Sequence, residues 1–234
     1  MKIVISHGSG GVGPAEHYIK TLLENHGYDV YINDYFTPHN INSLRWSEID
    51  PDDYDVTFNE LFNVSLPDED MIHIGFSLGG YFGLINSEKF KKNILFYPAV
   101  LGYTQQMLEK DYSNTMVILC SEDPGKIKYE RFHNELLTAP PLTYTLVGAH
   151  HAFMVEGIDR EFNMTSYGGS YGGLMSDEDF KQLKPNHRYL SSKYTHKTRR
   201  AVLKYHKDYR HQYAQIVKEE IDETVTGLRT WNRI

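Results

Sequence analysis

The chain has 234 residues, of which 40% are hydrophobic and 24% charged, proportions that suit one sizeable globular domain with a buried core. Cys120 is the single cysteine, which excludes an intrachain disulfide, and no stretch approaches the ~20 consecutive apolar residues of a membrane helix. The net charge of −7 is unevenly spread, with −15 over residues 1–180 and +9 over residues 181–213.

In chain order, the first apolar run, 2–6, starts too early and is too short for a signal peptide, so a cytoplasmic location is expected. It leads through His7-Gly8-Ser9-Gly10-Gly11-Val12-Gly13 into a helical segment, 14–26, with Pro14 at a favoured first position and Gly27 beyond its end. A second run, 29–33, stops at Asp34. Asp52 to Phe62 opens with acids suited to a helix N-terminus. Runs at 71–75, 93–97, 116–120 and 142–147 then alternate with helical segments at 78–88, 103–111 and 126–138. Strand and helix in alternation, with uninterrupted apolar strands, predict a three-layer α/β sandwich around a mostly parallel sheet.

Residues 154–196, with Tyr167-Gly168-Gly169-Ser170-Tyr171-Gly172-Gly173 among them, read as an irregular insertion or cover within a single domain spanning 1–234. Residues 197–226 read as a C-terminal amphipathic helix, with Val202, Tyr205, Tyr209, Tyr213 and Ile216 as its packing face. The basic stretch 181–213 interleaves Tyr189, Tyr194, Tyr205 and Tyr209 with Lys and Arg. Without a nucleic-acid-binding motif, it reads as a segment lying back on an acidic body rather than as a nucleic-acid surface.

The chemistry concentrates where runs end. Gly75-Phe76-Ser77-Leu78-Gly79 places a serine between a strand and a helix in the pattern G-x-S-x-G, a turn so tight that its flanking positions accept only glycine-sized residues. A nucleophilic serine needs a base, and the base needs a group that fixes its tautomer. Two later runs end in Ser121-Glu122-Asp123-Pro124 and Gly148-Ala149-His150-His151-Ala152-Phe153, so the order along the chain is serine, acid, histidine. Glu122 competes with Asp123 for the acid, and Asp123 also suits a helix cap. Either histidine can serve as the base; no metal-ligand spacing accompanies them. Cys120 suits a small buried hydrophobe, and His17, His26, His39 and His73 suit structural or surface positions.

A second motif competes. Gly8, Gly10 and Gly13 satisfy G-x-G-x-x-G between a strand and a helix, with Asp34 about 20 residues on to hold a ribose hydroxyl, which is the dinucleotide fingerprint of an NAD(P)-binding oxidoreductase. That reading leaves the loops at Ser77, Asp123 and His151 unexplained.

Gly-x-Ser-x-Gly, an acid after the second following strand, and Gly-Ala-x-His-x-Phe together resemble the dienelactone hydrolase branch of the α/β-hydrolases, over about residues 2–155. The resemblance implies an α/β-hydrolase fold without the usual two leading strands and a catalytic set of Ser77, Asp123 and His151. It also implies an oxyanion hole from the backbone N–H groups of Ser9 and Leu78. The better-known dienelactone hydrolases use cysteine where this chain has Ser77, so an esterase-like member is implied, acting on a carboxylic ester, thioester or lactone without a cofactor. Phe36 and Tyr97 are expected to line its pocket. A catalytically idle α/β-hydrolase fold used for binding is a further reading.

Overall fold

Why the apolar runs become strands is visible in what covers them. In the computed structural model, which describes residues 1–44, 56–66, 70–167, 173–185 and 196–227, six runs form one sheet. They are β1 (Lys2–Ser6), β2 (Asp29–Asn33), β3 (Met71–Phe76), β4 (Lys92–Phe96), β5 (Thr115–Cys120) and β6 (Leu142–Leu146). Their order is β2-β1-β3-β4-β5-β6 and every pairing is parallel.

Side chains alternate between the faces with the period of two that a strand imposes. Ile3 and Ile5 of β1, Ile72 and Ile74 of β3, Ile94 and Phe96 of β4, and Met116 and Ile118 of β5 enter one core layer. Val4, Leu95, Val117 and Leu119 enter the other. Helix α1 (Pro14–Glu24) covers the first layer through Ala15, Ile19 and Leu23, beside the C-terminal helix. Helices α2 (Phe58–Leu61), α3 (Leu78–Ile85), α4 (Gln105–Leu108) and α5 (Lys126–Glu135) cover the second. The result is the three-layer α/β sandwich that the alternating pattern implies. Of the segment 52–62, residues 52–55 lie outside those described, and helix is present over Phe58–Leu61.

One polar chain crosses the buried sheet. Asn93 donates its amide hydrogens to the Gly83 carbonyl at 3.0 Å and to Thr115 Oγ1 at 3.4 Å, so its oxygen accepts from Nδ1–H of His73 at 2.7 Å. His73 Nε2 is then the acceptor for the Ser6 hydroxyl at 2.9 Å, and Ser6 Oγ accepts from Asn33 Nδ2 at 3.1 Å. Each member is satisfied in one direction along β2, β1, β3 and β4, which is the condition under which buried polar groups are tolerated.

The C-terminal third departs from the sequence reading. Asp159–Tyr167 and His196–Lys204 are strands β7 and β8 of an antiparallel pair, in register from Asp159↔Lys204 to Tyr167↔His196. The insertion expected to be irregular over 154–196 therefore carries a strand, and α6 (Asp177–Lys181) is capped by Ser176, whose Oγ accepts from the Asp179 N–H at 3.1 Å. The helix expected over 197–226 begins only at Lys207, as α7 (Lys207–Thr226). Residues 197–204 satisfy their backbone groups across the β7 pairing instead, and that long-range partner is absent from any local periodicity. The buried residues of α7 are Arg210, Ala214, Val217, Glu220 and Ile221, with Tyr209, Tyr213 and Ile216 partly buried beside them. Val202 and Tyr205 lie before the helix. Tyr189, Tyr194 and the turn 168–172 lie outside the described residues. No helix among the described residues is long and apolar enough to cross a membrane.

Burial lowers the pKa of His73 from its ordinary 6.5 to about 4, with the Asn93 hydrogen bond pulling the other way. The folded state then binds fewer protons than the unfolded chain between those values, so His73's contribution is complete above pH 6.5 and is lost as pH falls toward 4. The expected loss is about 3 kcal/mol across that window. Urea denaturation of the protein and of His73→Asn at pH 7 and pH 4.5 checks this: the native histidine should add a pH slope that the variant lacks, and parallel slopes would refute it.

Candidate active site

The tight turn after β3 is built by what its glycines lack. A Cβ on Gly75 would stand 2.6 Å from the Gly79 carbonyl carbon and 2.8 Å from the Gly80 nitrogen. A Cβ on Gly79 would stand 2.7 Å from the His7 carbonyl oxygen and closer still to that of Ser6. Ser77 sits between them at φ 51° and ψ −105°, an unusual conformation for a residue with a side chain and one expected of a serine at such an elbow. It is held there because its N–H donates to the Phe96 carbonyl at 2.9 Å, while its own carbonyl accepts from Tyr81 and Ala99.

Three loops at the carboxyl ends of β3, β5 and β6 converge on this hydroxyl. Ser77 Oγ lies 2.9 Å from His151 Nε2, and His151 Nδ1 lies 2.6 Å from Asp123 Oδ2. A carboxylate oxygen only accepts, so Nδ1 carries the imidazole proton and Nε2 is left to accept from the serine hydroxyl. Asp123 Oδ1 accepts from the Gly125 N–H at 2.7 Å, which commits both carboxylate oxygens and orients the group. Ser77 and Asp123 are 8% and 7% exposed, and the His151 side chain is 22% exposed. Glu122, the competing acid, accepts from the Ser121 hydroxyl, and His150 pairs with His206 at 3.2 Å; neither joins the Ser77 chain.

The site lies beside the switch point of the sheet, where β1 is flanked by β2 and β3 and crossovers leave in both directions. With the elbow at the end of β3 and the acid and histidine after β5 and β6, the deciding features are together. The fold is a three-layer α/β sandwich around a parallel sheet. Among the described residues no strand pairs beyond β2.

No protein-family model matches the sequence, and no curated protein matches it. Solved structures do resemble it in shape. A dienelactone hydrolase from Anabaena variabilis is 18% identical with a TM-score of 0.47, over 67% of this chain and 77% of that one. A Butyrivibrio proteoclasticus protein with bound ferulic acid is 12% identical with a TM-score of 0.46, over 67% and 82%. A thermostable carboxylesterase cloned from a metagenomic library is 14% identical with a TM-score of 0.44, over 65% and 71%.

The remaining expected site residues divide into two groups. Leu78 opens α3, so its N–H has no intrahelical partner, and Gly8 lies against Ser77, with a Cβ on Gly8 standing 3.4 Å from Ser77 Cβ. Ser9 is the next residue, and its carbonyl accepts from the Leu44 N–H at 2.7 Å. Phe36 and Tyr97, expected as pocket lining, are 1% and 2% exposed and present almost no surface. Phe36 packs edge-on to His7 with centroids 4.5 Å apart, because the aromatic cluster around Tyr35 absorbs it. Tyr97 lies beneath His151, ring centroids 4.7 Å apart, and its backbone adopts φ 39°. Its N–H donates to Ile118, and its ring also meets Phe153.

Sequence patterns missed what holds the histidine loop. His151 bridges Leu203 of β8 through the backbone, and the His206 N–H donates to the Phe153 carbonyl at 3.2 Å. No local signal marks residues 203–206 as supports for a loop 50 residues earlier.

Two acids near the Gly8–Gly13 loop make local hydrogen bonds. Asp34 Oδ1 accepts from the Phe36 and Thr37 N–H groups and Oδ2 from the Thr37 hydroxyl at 2.6 Å. The Glu16 carboxylate, 4% exposed, accepts from the Gly13 N–H at 2.9 Å at the N-terminus of α1.

The elbow permits no side chain at position 79. Gly79→Ala should destabilise the protein by about 3 kcal/mol or more, because backbone of β1 rather than a movable side chain meets the added carbon. Guanidinium denaturation measures it, and a change within about 0.5 kcal/mol would contradict the packing described.

Proposed function

We propose that the protein is a serine hydrolase that cleaves a carboxylic ester, thioester or lactone through an acyl-enzyme on Ser77. The observation that carries this reading is the continuous hydrogen-bonded chain from Ser77 Oγ through His151 to Asp123. Ser77 Oγ attacks the carbonyl carbon while its proton passes to His151 Nε2, and Asp123 stabilises the imidazolium that forms. The tetrahedral oxyanion takes hydrogen bonds from the N–H groups of Leu78, at the positive end of α3, and of Ser9. The carbon–oxygen (or carbon–sulfur) bond to the leaving group breaks, and the proton on Nε2 goes to the departing atom. Water then repeats the sequence: His151 takes its proton, the hydroxide adds to the acyl carbon, and the Ser77 ester bond breaks with the proton returned to Oγ.

Tyr97 serves here as a support for the imidazole face rather than as a contact for substrate, in keeping with its burial. The dinucleotide reading has less support: the carboxylate of Glu16 stands at the α1 N-terminus, where a pyrophosphate would need to bind, and both Asp34 oxygens already accept hydrogen bonds from residues 36 and 37. Ligand-binding without catalysis has no observation in its favour that the hydrolase reading does not also use.

Ser77→Ala should abolish turnover of p-nitrophenyl acetate with the circular dichroism spectrum unchanged, and retained turnover would remove the serine from the mechanism. Asp123→Asn should lower kcat by about 10⁴-fold, because the amide favours the wrong imidazole tautomer. A fluorophosphonate probe should label the native protein and not Ser77→Ala; an unlabelled native protein would favour the idle-fold reading.

A further inference from the structure

The loops that carry Asp123 and His151 leave neighbouring strands. The ladder between β5 and β6 ends at the pair Cys120↔Leu146, and both chains then turn away from the sheet. Strands joined only up to that pair would let the two loops diverge, yet His151 Nδ1 meets Asp123 Oδ2 at 2.6 Å. Hydrogen bonds beyond the end of the ladder keep the loops together.

The Ser121 N–H donates to the Leu146 carbonyl at 2.9 Å, as the next rung of a parallel ladder should. In that pattern the Ser121 carbonyl would then accept from the Gly148 N–H. The side chain takes its place: the Gly148 N–H donates to Ser121 Oγ at 2.8 Å. The hydroxyl hydrogen goes to Glu122 Oε1 at 2.9 Å, and because a carboxylate only accepts, this direction leaves the lone pairs of Oγ for Gly148. One residue further, the Glu122 N–H donates to the Ala149 carbonyl at 3.0 Å. A rung made by a side chain lets the backbone turn where a carbonyl rung would keep it extended. Gly148 accordingly takes φ 78°, and the Asp123 N–H closes a turn onto the Cys120 carbonyl at 3.2 Å. The acid comes two residues after Ser121 and the histidine three after Gly148.

We propose that Ser121 is a positioning residue for Asp123 and His151: its hydroxyl, aimed by Glu122, supplies the rung that joins the acid loop to the histidine loop and so sets the hydrogen bond between them. Its effect on rate rests on the hydrolase reading above; its effect on the bond does not. Ser121 touches no substrate. Its loss acts on the imidazolium formed in the transition state, so it falls on kcat rather than on KM. Ser121 is only half-buried, so water can replace its hydroxyl as an acceptor. What disappears is the fixed position of the loops, with little cost to folding.

The test reads the bond and the rate separately. In the native protein the His151 Nδ1–H should give a far-downfield proton NMR resonance that is absent in Asp123→Ala. Ser121→Ala should shift it upfield or broaden it, whether or not the protein hydrolyses esters. Turnover of p-nitrophenyl acetate and fluorophosphonate labelling come next; their absence defeats the hydrolase reading, while the resonance still decides the role of Ser121. With an active native enzyme, Ser121→Ala should lower kcat about tenfold, with KM within about threefold and the melting temperature within about 3 °C. Ser121→Thr, which keeps the hydroxyl, should restore the resonance and bring kcat to within about threefold of native. Thr143→Val removes the partner of the Tyr129 hydroxyl near the other end of β6; it should lower the melting temperature and leave kcat and the resonance unchanged. If Ser121→Ala does not fold, Ser121→Cys decides, since sulfur fills the same place but accepts weakly, and the same losses are expected. A native protein without the resonance, a folded Ala or Cys variant with native resonance or native kcat, or a loss in KM alone would overturn the proposal.

Discussion

The whole site depends on how closely the β3–α3 elbow is pressed against the end of β1. With no Cβ at Gly79, the backbone of α3 approaches the Ser6 and His7 carbonyls at a distance that any side chain would forbid. Two consequences follow from this one contact. Ser77 is driven into a left-handed conformation that lifts its hydroxyl clear of the sheet, and the loop after β1 comes to lie beside it, Gly8 against Ser77 Cβ.

Around this contact, polar groups are buried in number, and almost all are satisfied. The chain from Asn33 through Ser6 and His73 to Asn93 leaves no member without a partner, and Asp123 uses both oxygens. Two buried side-chain atoms without a hydrogen-bond partner among the described residues are His7 Nε2, which stands 3.6 Å from Asp34 Oδ1, and Tyr97 Oη. Both belong to rings that touch the site from behind: His7 stacks on Tyr35 at 4.1 Å, and Tyr97 lies under His151. Native proteins concentrate such unsatisfied groups and strained residues where function constrains the chain, and Tyr97, at φ 39°, combines both.

The C-terminal segment does more than close the first core layer. Leu203 and His206 brace the loop that carries His151, and Arg210 ties the start of α7 to Glu156 at 2.6 Å and over the Tyr18 ring of α1 at 3.7 Å. The imidazole is thus supported on one side by Tyr97 at the end of β4 and, through its backbone, by residues some fifty positions later. The basic character of this stretch is in part absorbed by such pairing. Tyr209 likewise spends its hydroxyl on the Val147 carbonyl and its ring on Phe153.

What the sequence determined by itself is everything written in short-range periodicity and in residues of special shape. The six runs of the sheet, the alternation that assigns their two faces, Pro14 opening α1, and the glycines around Ser77 are all local facts, since a strand or a tight turn imposes its requirement on adjacent residues. The order serine, acid, histidine was equally legible, because each follows a strand. Only tertiary structure decided which members of each pair met: His151 rather than His150, and Asp123 rather than Glu122, are neighbours that share nearly the same sequence position and differ in the direction their side chains take. It also decided that 197–204 is strand rather than helix, since the partner that satisfies its backbone lies about forty residues away. Phe36 and Tyr97 turned inward for the same reason. Whether an aromatic ring lines a cleft or fills a core depends on what packs against it, and that is settled by the fold and not by its neighbours in the chain.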